Sequence, residues 1–113
     1  NLRFEAGTLS NLGAMLAAGL ADAARTAGVP LQVNAFGSVL TPFFTSEAVT
    51  DFQSALKADT AAYGRFFHAM LDRGVYPPPS PFEAWFLSAA HTERDIATTI
   101  TAAGEAMQIA KRP

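Results

Sequence analysis

Residues 31–45 read LQVNAFGSVLTPFFT, a stretch with two runs typical of β-strands. The first run, 31–36, alternates apolar and polar side chains, and the second, 39–45, is rich in β-forming residues. The short break at 37–38 between them predicts an antiparallel hairpin. Because Pro42 has no backbone N–H, its strand should lie at a sheet edge, or its nitrogen should face away from a partner.

An amphipathic helix is predicted before the hairpin, over residues 9–27. Apolar side chains recur there at helical spacing, and the leucines among them are Leu12, Leu16 and Leu20. Ser10 or Asn11 can cap the start of this helix, and Gly28 followed by Pro30 supplies the stop.

A second helix is predicted over residues 51–73, where apolar and aromatic residues again fall on one side of a helix. Thr50 or Asp51 is the expected N-cap, and Gly74 is the expected stop. The following segment, 75–81, has four prolines in seven residues and must be an extended connector.

A third strand and a last helix complete the prediction. Residues 84–88 form a short apolar run typical of a buried strand. Thr92 and Asp95 then have the spacing of a helix-capping pair, and apolar residues continue the helical pattern to Ala110.

The order is therefore α-β-β-α-β-α, which predicts an α+β domain with a small antiparallel sheet of about three strands covered by about three helices. Residues 9–113 form this domain. Residues 1–8 have no clear periodicity and are left unassigned, as a processed, truncated or engineered start.

Composition narrows the function. The 8 basic and 10 acidic side chains give a net charge of -2, which argues against nucleic acid or an anionic membrane as a partner. The chain has no cysteine, which excludes disulfides and thiolate metal sites. No apolar run reaches the roughly 18 residues of a membrane span. A cytoplasmic protein is the expectation.

The two histidines carry little chemistry by themselves. His68 lies at helical spacing from Arg65 and Asp72, which predicts a solvated charge cluster. His91 and Glu93 could form a proton relay, although an acidic residue in the first turn of a helix ordinarily interacts with the helix dipole. Their spacing fits no metal motif, so no metal site is expected.

Glu83 is the strongest candidate for a functional residue. Residues 79–86 read PSPFEAWF, which places one carboxylate between large aromatic residues after the proline connector. Phe82, Trp85 and Phe86 are expected to bury the segment, so Glu83 must either form an ion pair or point toward a site.

Several separated motifs, taken together, resemble the C-terminal part of glutamate-1-semialdehyde aminomutases, over about residues 9–107. A related class-III aminotransferase of the same fold type I is the alternative. The motifs that carry the resemblance are VNAFGS at 33–38, FFT at 43–45, DT at 59–60, RFFHAMLDRGVY at 65–76, PS at 79–80, FEA at 82–84, S at 88 and AHT at 90–92.

The resemblance implies a homodimeric, pyridoxal-phosphate-dependent isomerase that converts glutamate 1-semialdehyde to 5-aminolevulinate for tetrapyrrole synthesis. It places the Schiff-base lysine and the other cofactor ligands in a large domain upstream. Lys57 and Lys111 lack the family's Schiff-base context, so this chain alone should bind no cofactor and have no activity.

By the same resemblance, Glu83 matches an acidic residue at the edge of the active site, where it would orient the substrate amines, with Ser80 beside it. The sequence departs from the family pattern at Ala35, Pro77 and Pro81. A free-standing interaction module that associates through the face normally covered by the large domain is the second hypothesis.

Overall fold

The computed structural model describes residues 2–87 and 92–111. Within them the predicted α+β class is confirmed, with the predicted order of strands and one additional single-turn helix. The elements are α1 (Leu2–Ala27), β1 (Gln32–Phe36), β2 (Val39–Phe43), α2 (Phe52–Ala55), α3 (Thr60–Asp72), β3 (Trp85–Phe86) and α4 (Glu93–Ala110).

The three strands form an antiparallel sheet in the order β1-β2-β3. Pro42 therefore belongs to the central strand, so of the two predicted alternatives the edge strand does not occur. The sheet tolerates it because β3 pairs with Val39 and Leu40 and ends before it reaches Pro42. The predicted third strand is shorter than expected, and Ser88 lies outside the described residues.

The two faces of the sheet differ in cover. Leu40 and Trp85 are paired across β2 and β3 and lie buried on the inner face. Phe36, Val39 and Phe86 are paired in a row and therefore share the opposite, outer face. α1 packs against both long strands and against α4, and α4 packs against α3, so the helices enclose the inner face.

α1 is longer than predicted, because it begins at Leu2 and not at a cap on Ser10 or Asn11. No proline interrupts residues 2–10, and extending a helix that already exists is far easier than nucleating one. Gly13 allows α1 to approach the hairpin, because a Cβ at this position would collide with the carbonyl of Gly37.

The second predicted helix is divided into α2 and α3. Asp59 ends the first part: its backbone N–H donates to the carbonyl of Phe44 at 2.9 Å, and its side chain accepts from the N–H of Ala62 at 3.0 Å, which starts α3. Because α2 and α3 are separated, Phe52 is exposed at the surface while Phe66 is buried in the core.

The predicted helix ends are otherwise confirmed. Gly28 and Gly74 follow α1 and α3 with φ of 76° and 79°, a conformation that glycine adopts without strain. Thr92 and Asp95 form a reciprocal capping box at the start of α4.

Aromatic rings join the sheet to α3 in the core. Phe66 is fully buried, with its ring centroid 5.5 Å from that of Phe44 and 6.3 Å from that of Trp85. Tyr63 lies one turn earlier, 6.2 Å from Phe44. Phe66 therefore links the end of β2, the helix α3 and the strand β3 in one cluster.

We predict that Phe66→Ala lowers the free energy of unfolding by about 3–5 kcal/mol, because it leaves a cavity where these elements meet. Phe66→Leu keeps most of the volume and should cost clearly less. Tyr76→Ala is the control, since this aromatic side chain is 80% exposed and should change stability little. Urea denaturation of the three variants tests the order, and equal losses for Phe66→Ala and Tyr76→Ala would contradict it.

Candidate functional site

A cleft of about 540 Å³ lies between the proline connector, the segment 83–87 and the helices. Glu83 lines it, and it is the one carboxylate among the described residues that do so. Most of the wall is apolar or aromatic, with Trp85 and Ile96 at the base and Tyr76 and Phe86 exposed at the surface.

Glu83 is exposed, and its carboxylate forms no ion pair with any side chain in the part of the chain that the structure describes. The expectation that three aromatic neighbours bury the segment is wrong for two of them. Trp85 is 7% exposed, but Phe82 is 41% and Phe86 is 72% exposed. The backbone bends before β3 begins, so strict alternation does not extend back to Glu83.

Ser80 shapes the turn that carries Glu83. Its hydroxyl accepts from the N–H of Phe82 at 3.2 Å, and its carbonyl accepts from the N–H of Glu83 at 3.2 Å. Ser80 is thus beside Glu83, and its place at the edge of a substrate site stays a prediction. Because its hydroxyl already has a partner in the turn, this residue fixes the backbone that presents the carboxylate.

Tyr63 anchors the proline connector to α3. Its hydroxyl donates to the carbonyl of Pro78 at 2.5 Å. Burial raises the pKa of this hydroxyl to about 12. The neighbouring Trp85 lowers this pKa, and the negative charge of Glu83 raises it further. The indole nitrogen of Trp85 is itself buried with no hydrogen-bond partner among the described residues.

Asn34 of β1 also helps to fix the turn that carries Glu83, through the loop before α2 and the ring of Phe82. Asn34 donates from its side-chain amide to the carbonyl of Val49 at 2.8 Å, which holds the loop before α2. The first residue of α2, Phe52, then packs its ring 6.4 Å from that of Phe82. Sequence reasoning missed this support, and the polar Asn34 in a β-forming run was the signal available for it.

α2 is a single turn and depends on its cap. Asp51 accepts from the N–H of Ser54 at 2.8 Å, and the Ser54 hydroxyl accepts from the N–H of Asp51 at 3.1 Å. These interactions with the Ser54 backbone and hydroxyl lower the pKa of the Asp51 carboxyl. The cap fixes α2 and with it the position of Phe52.

The predicted charge cluster on α3 is only partly correct. His68 and Asp72 are exposed. Arg65 instead turns toward α4, where its guanidinium donates twice to the carbonyl of Ala110, at 3.0 and 2.8 Å. It satisfies a carbonyl that the end of that helix leaves without a partner, a role that depends on tertiary packing.

The proton relay suggested for His91 and Glu93 stays a prediction, because only Glu93 is among the described residues. Glu93 is exposed in the first turn of α4, and His91 lies outside the described residues. Among the side chains that the structure describes, in residues 11–87 and 92–111, no three potential ligands come together as a metal centre. None of the helices there is long and apolar enough to cross a membrane.

Neither lysine lies in a setting suited to a Schiff base. The side chain of Lys57 is 67% exposed, 3.8 Å from the carboxylate of Glu47. Lys111 is exposed at the end of α4, near Gly28. Neither residue lines the cleft that contains Glu83.

The chain is similar in sequence to three bacterial proteins named glutamate-1-semialdehyde 2,1-aminomutase. It is 56% identical over 101 residues to the protein of Heliobacterium modesticaldum, 52% over 99 residues to that of a strain of Thermus thermophilus, and 55% over 95 residues to that of a strain of Anaeromyxobacter dehalogenans. These alignments include 89%, 88% and 84% of this chain.

The chain belongs to the glutamate-1-semialdehyde 2,1-aminomutase family. It spans about 23% of the length of the first two relatives and 22% of the third. No family model matches the chain.

Solved structures give the same fold. An omega-transaminase from Sphaerobacter thermophilus superposes with a TM-score of 0.86 over 96% of this chain and 25% of its own, at 27% identity. A β-phenylalanine aminotransferase from Variovorax paradoxus superposes with a TM-score of 0.70 over 86% of this chain and 22% of its own, at 26% identity. The fold therefore occurs as part of larger aminotransferases.

We predict that Tyr63 makes stability depend on pH above pH 10. Folding raises the pKa of its hydroxyl to about 12 from the usual value of 10.0, so the folded state favours the neutral form. The stabilisation is fully present below pH 10 and is lost as the pH rises toward 12. Urea midpoints between pH 9 and 12 should fall less steeply for Tyr63→Phe than for the unmodified chain.

Tyr76→Phe is the matched control for this titration, because it removes a phenol that is 80% exposed. It should leave the alkaline slope of the unmodified chain in place. Equal slopes for the unmodified chain and Tyr63→Phe would show that the Tyr63 hydroxyl does not cause the loss of stability at alkaline pH.

Proposed function

We propose that this chain is the C-terminal small domain of a pyridoxal-phosphate-dependent isomerase that converts glutamate 1-semialdehyde to 5-aminolevulinate in the cytoplasm. Identity of 50–56% to relatives of that name, over 83–89% of the chain, is the observation that carries the proposal. The activity belongs to a longer polypeptide, because these residues correspond to less than a quarter of the relatives' length.

The chain's own residues do not fit the cofactor. A Schiff-base enzyme needs a lysine held at the cofactor and an acidic partner for its ring nitrogen. Lys57 and Lys111 lie at the surface, away from the cleft. In this proposal the cofactor supplies the electron sink in the large domain, and the 113-residue chain is inactive alone.

Glu83 is the residue that this domain contributes to the chemistry. Its exposed carboxylate, which forms no ion pair with the described side chains, can attract and orient an ammonium group of the substrate, and the apolar walls of the cleft would strengthen that attraction once water is excluded. Ser80 positions Glu83 through the turn.

The two prolines that depart from the family pattern are compatible with this role. Pro77 is buried and Pro81 is half-buried, on either side of Pro78, whose carbonyl Tyr63 binds. Their fixed φ angles reduce the freedom of the segment that leads to Glu83. The stiffness of this segment therefore supports the geometry at the two positions that depart from the family pattern.

Two other functions have some support. The similarity to aminotransferase structures favours a class-III aminotransferase as the alternative parent. The exposed aromatic residues favour self-association of the isolated chain, as a free-standing module would require. Assay of the full-length gene product separates them: isomerisation without an amino acceptor supports the aminomutase, and dependence on an acceptor supports the aminotransferase.

We expect the dialysed 113-residue chain to retain no lysine-bound pyridoxal phosphate. Absorbance of a protein-bound cofactor, measured before and after borohydride reduction and followed by peptide mass mapping, tests this. A stoichiometric adduct that Lys57→Ala or Lys111→Ala abolishes would contradict the prediction. Random labelling of several amines at high cofactor concentration would not, because exposed lysines react without a site.

We expect Glu83→Gln in the full-length protein to lower the single-turnover rate by about 10- to 1,000-fold, since an orienting charge contributes less than the residue that binds the cofactor. The thermal midpoint should change little, because the carboxylate is exposed and has no ion-pair partner among the described side chains. Glu47→Gln is the control for loss of a surface charge, since its side chain is 65% exposed outside the cleft. A Glu83→Gln protein that is destabilised and fully active would overturn the assignment.

A further inference from the structure

The outer face of the sheet is covered at one end and open at the other. At the covered end, Phe43 is buried beside the loop that Asn34 holds and beside α2, whose Ala55 is also buried. At the open end, Phe36 is 89% exposed and Phe86 is 72% exposed, and Val39 lies between them in the pairing. We name Phe36, Val39 and Phe86 the outer row.

The outer row is a continuous apolar surface. Directly paired residues of an antiparallel sheet place their side chains side by side on one face. A phenylalanine contributes about 150–250 Å², so two phenyl groups exposed to this degree present on the order of 300 Å². Contiguous apolar areas of that size on a protein commonly mark a contact surface.

We propose that the outer row is the surface against which the rest of the full-length protein packs. The relatives are nearly four times as long as this chain, so polypeptide is available in the parent to cover it. The same face is already buried at its other end by the chain's own loop and α2. The occupant is thus a segment of the same polypeptide outside these 113 residues.

This contact also places the rest of the protein beside Glu83. Phe86 belongs to the outer row and to the wall of the cleft, and it follows Glu83 by three residues. A segment that packs on Phe86 therefore lies next to the mouth of the cleft. The inference rests on the proposed function in that it takes the chain as part of a longer enzyme, and it assigns the surface through which the two parts meet.

Hydroxyl-radical labelling read by mass spectrometry tests this contact. The labelling rates of Phe36 and Phe86 are compared between the 113-residue chain and the full-length gene product, each over a range of dilutions. We expect at least a fivefold slower rate for both residues in the full-length protein at every dilution. Met15, which is 38% exposed on α1, is the internal control and should change less than twofold.

Two outcomes would overturn the proposal. Equal labelling of Phe36 and Phe86 in both proteins would mean that nothing covers the row. Protection that disappears when the full-length protein is diluted to monomers would mean that a second copy covers it. Aminomutase activity measured on the same sample keeps the questions separate, because an active enzyme with an unprotected row refutes the contact and leaves the proposed function intact.

A variant gives an independent readout. Phe36→Ser combined with Phe86→Ser should reduce self-association of the 113-residue chain and make the boundary of this domain at least fivefold more sensitive to limited proteolysis in the full-length protein. Met15→Ser is the matched control and should do neither. Unchanged proteolysis of the double variant would contradict the proposal even if labelling were slower.

Discussion

The packing of Phe66 is the contact on which the other elements depend. Its buried ring lies between Phe44, at the end of the central strand, and Trp85, in the short third strand. β3 has two residues and could not hold its place by pairing alone. The stacked Trp85 anchors it, and because Glu83 lies two residues earlier, the position of the candidate site depends on the same cluster.

The two faces of the sheet differ in what they contact. The inner face joins the helices in the core, with Leu40 and Trp85 buried. The outer face carries the features that a free-standing domain does not need, namely the open aromatic row and the exposed Phe82. Glu83 lies where the two regions meet, on a turn that Ser80 closes and that Tyr63 supports from the core through Pro78. A stiff support of this kind suits a residue that orients a substrate.

Much of this arrangement follows from sequence pattern. The hairpin, the capping pair of Thr92 and Asp95 and the glycine stops are local signals, and the structure has them where they were predicted. The break at Asp59 could not be predicted in this way, because it depends on a hydrogen bond to Phe44, fifteen residues away. The exposure of Phe86 was missed for a related reason, since hydrophobicity gives no sign of which face lacks a cover.

The candidate site was only partly accessible to the same reasoning. Glu83 stood out as a single carboxylate among aromatic residues, and its motif pointed to an active-site edge. The supports from Tyr63, Asn34 and Phe52 join residues that are distant in sequence, so no local pattern could indicate them. The role of Arg65 at the end of α4 has the same origin, because its partner carbonyl lies forty-five residues away.

A crystal structure of the full-length protein with its cofactor and a substrate analogue tests the central claim most directly. The account predicts that the Glu83 carboxylate faces the substrate and lies within about 3 Å of one of its polar groups, or one water away. A Glu83 side chain that points to bulk solvent on the far side of the domain from the cofactor would contradict it.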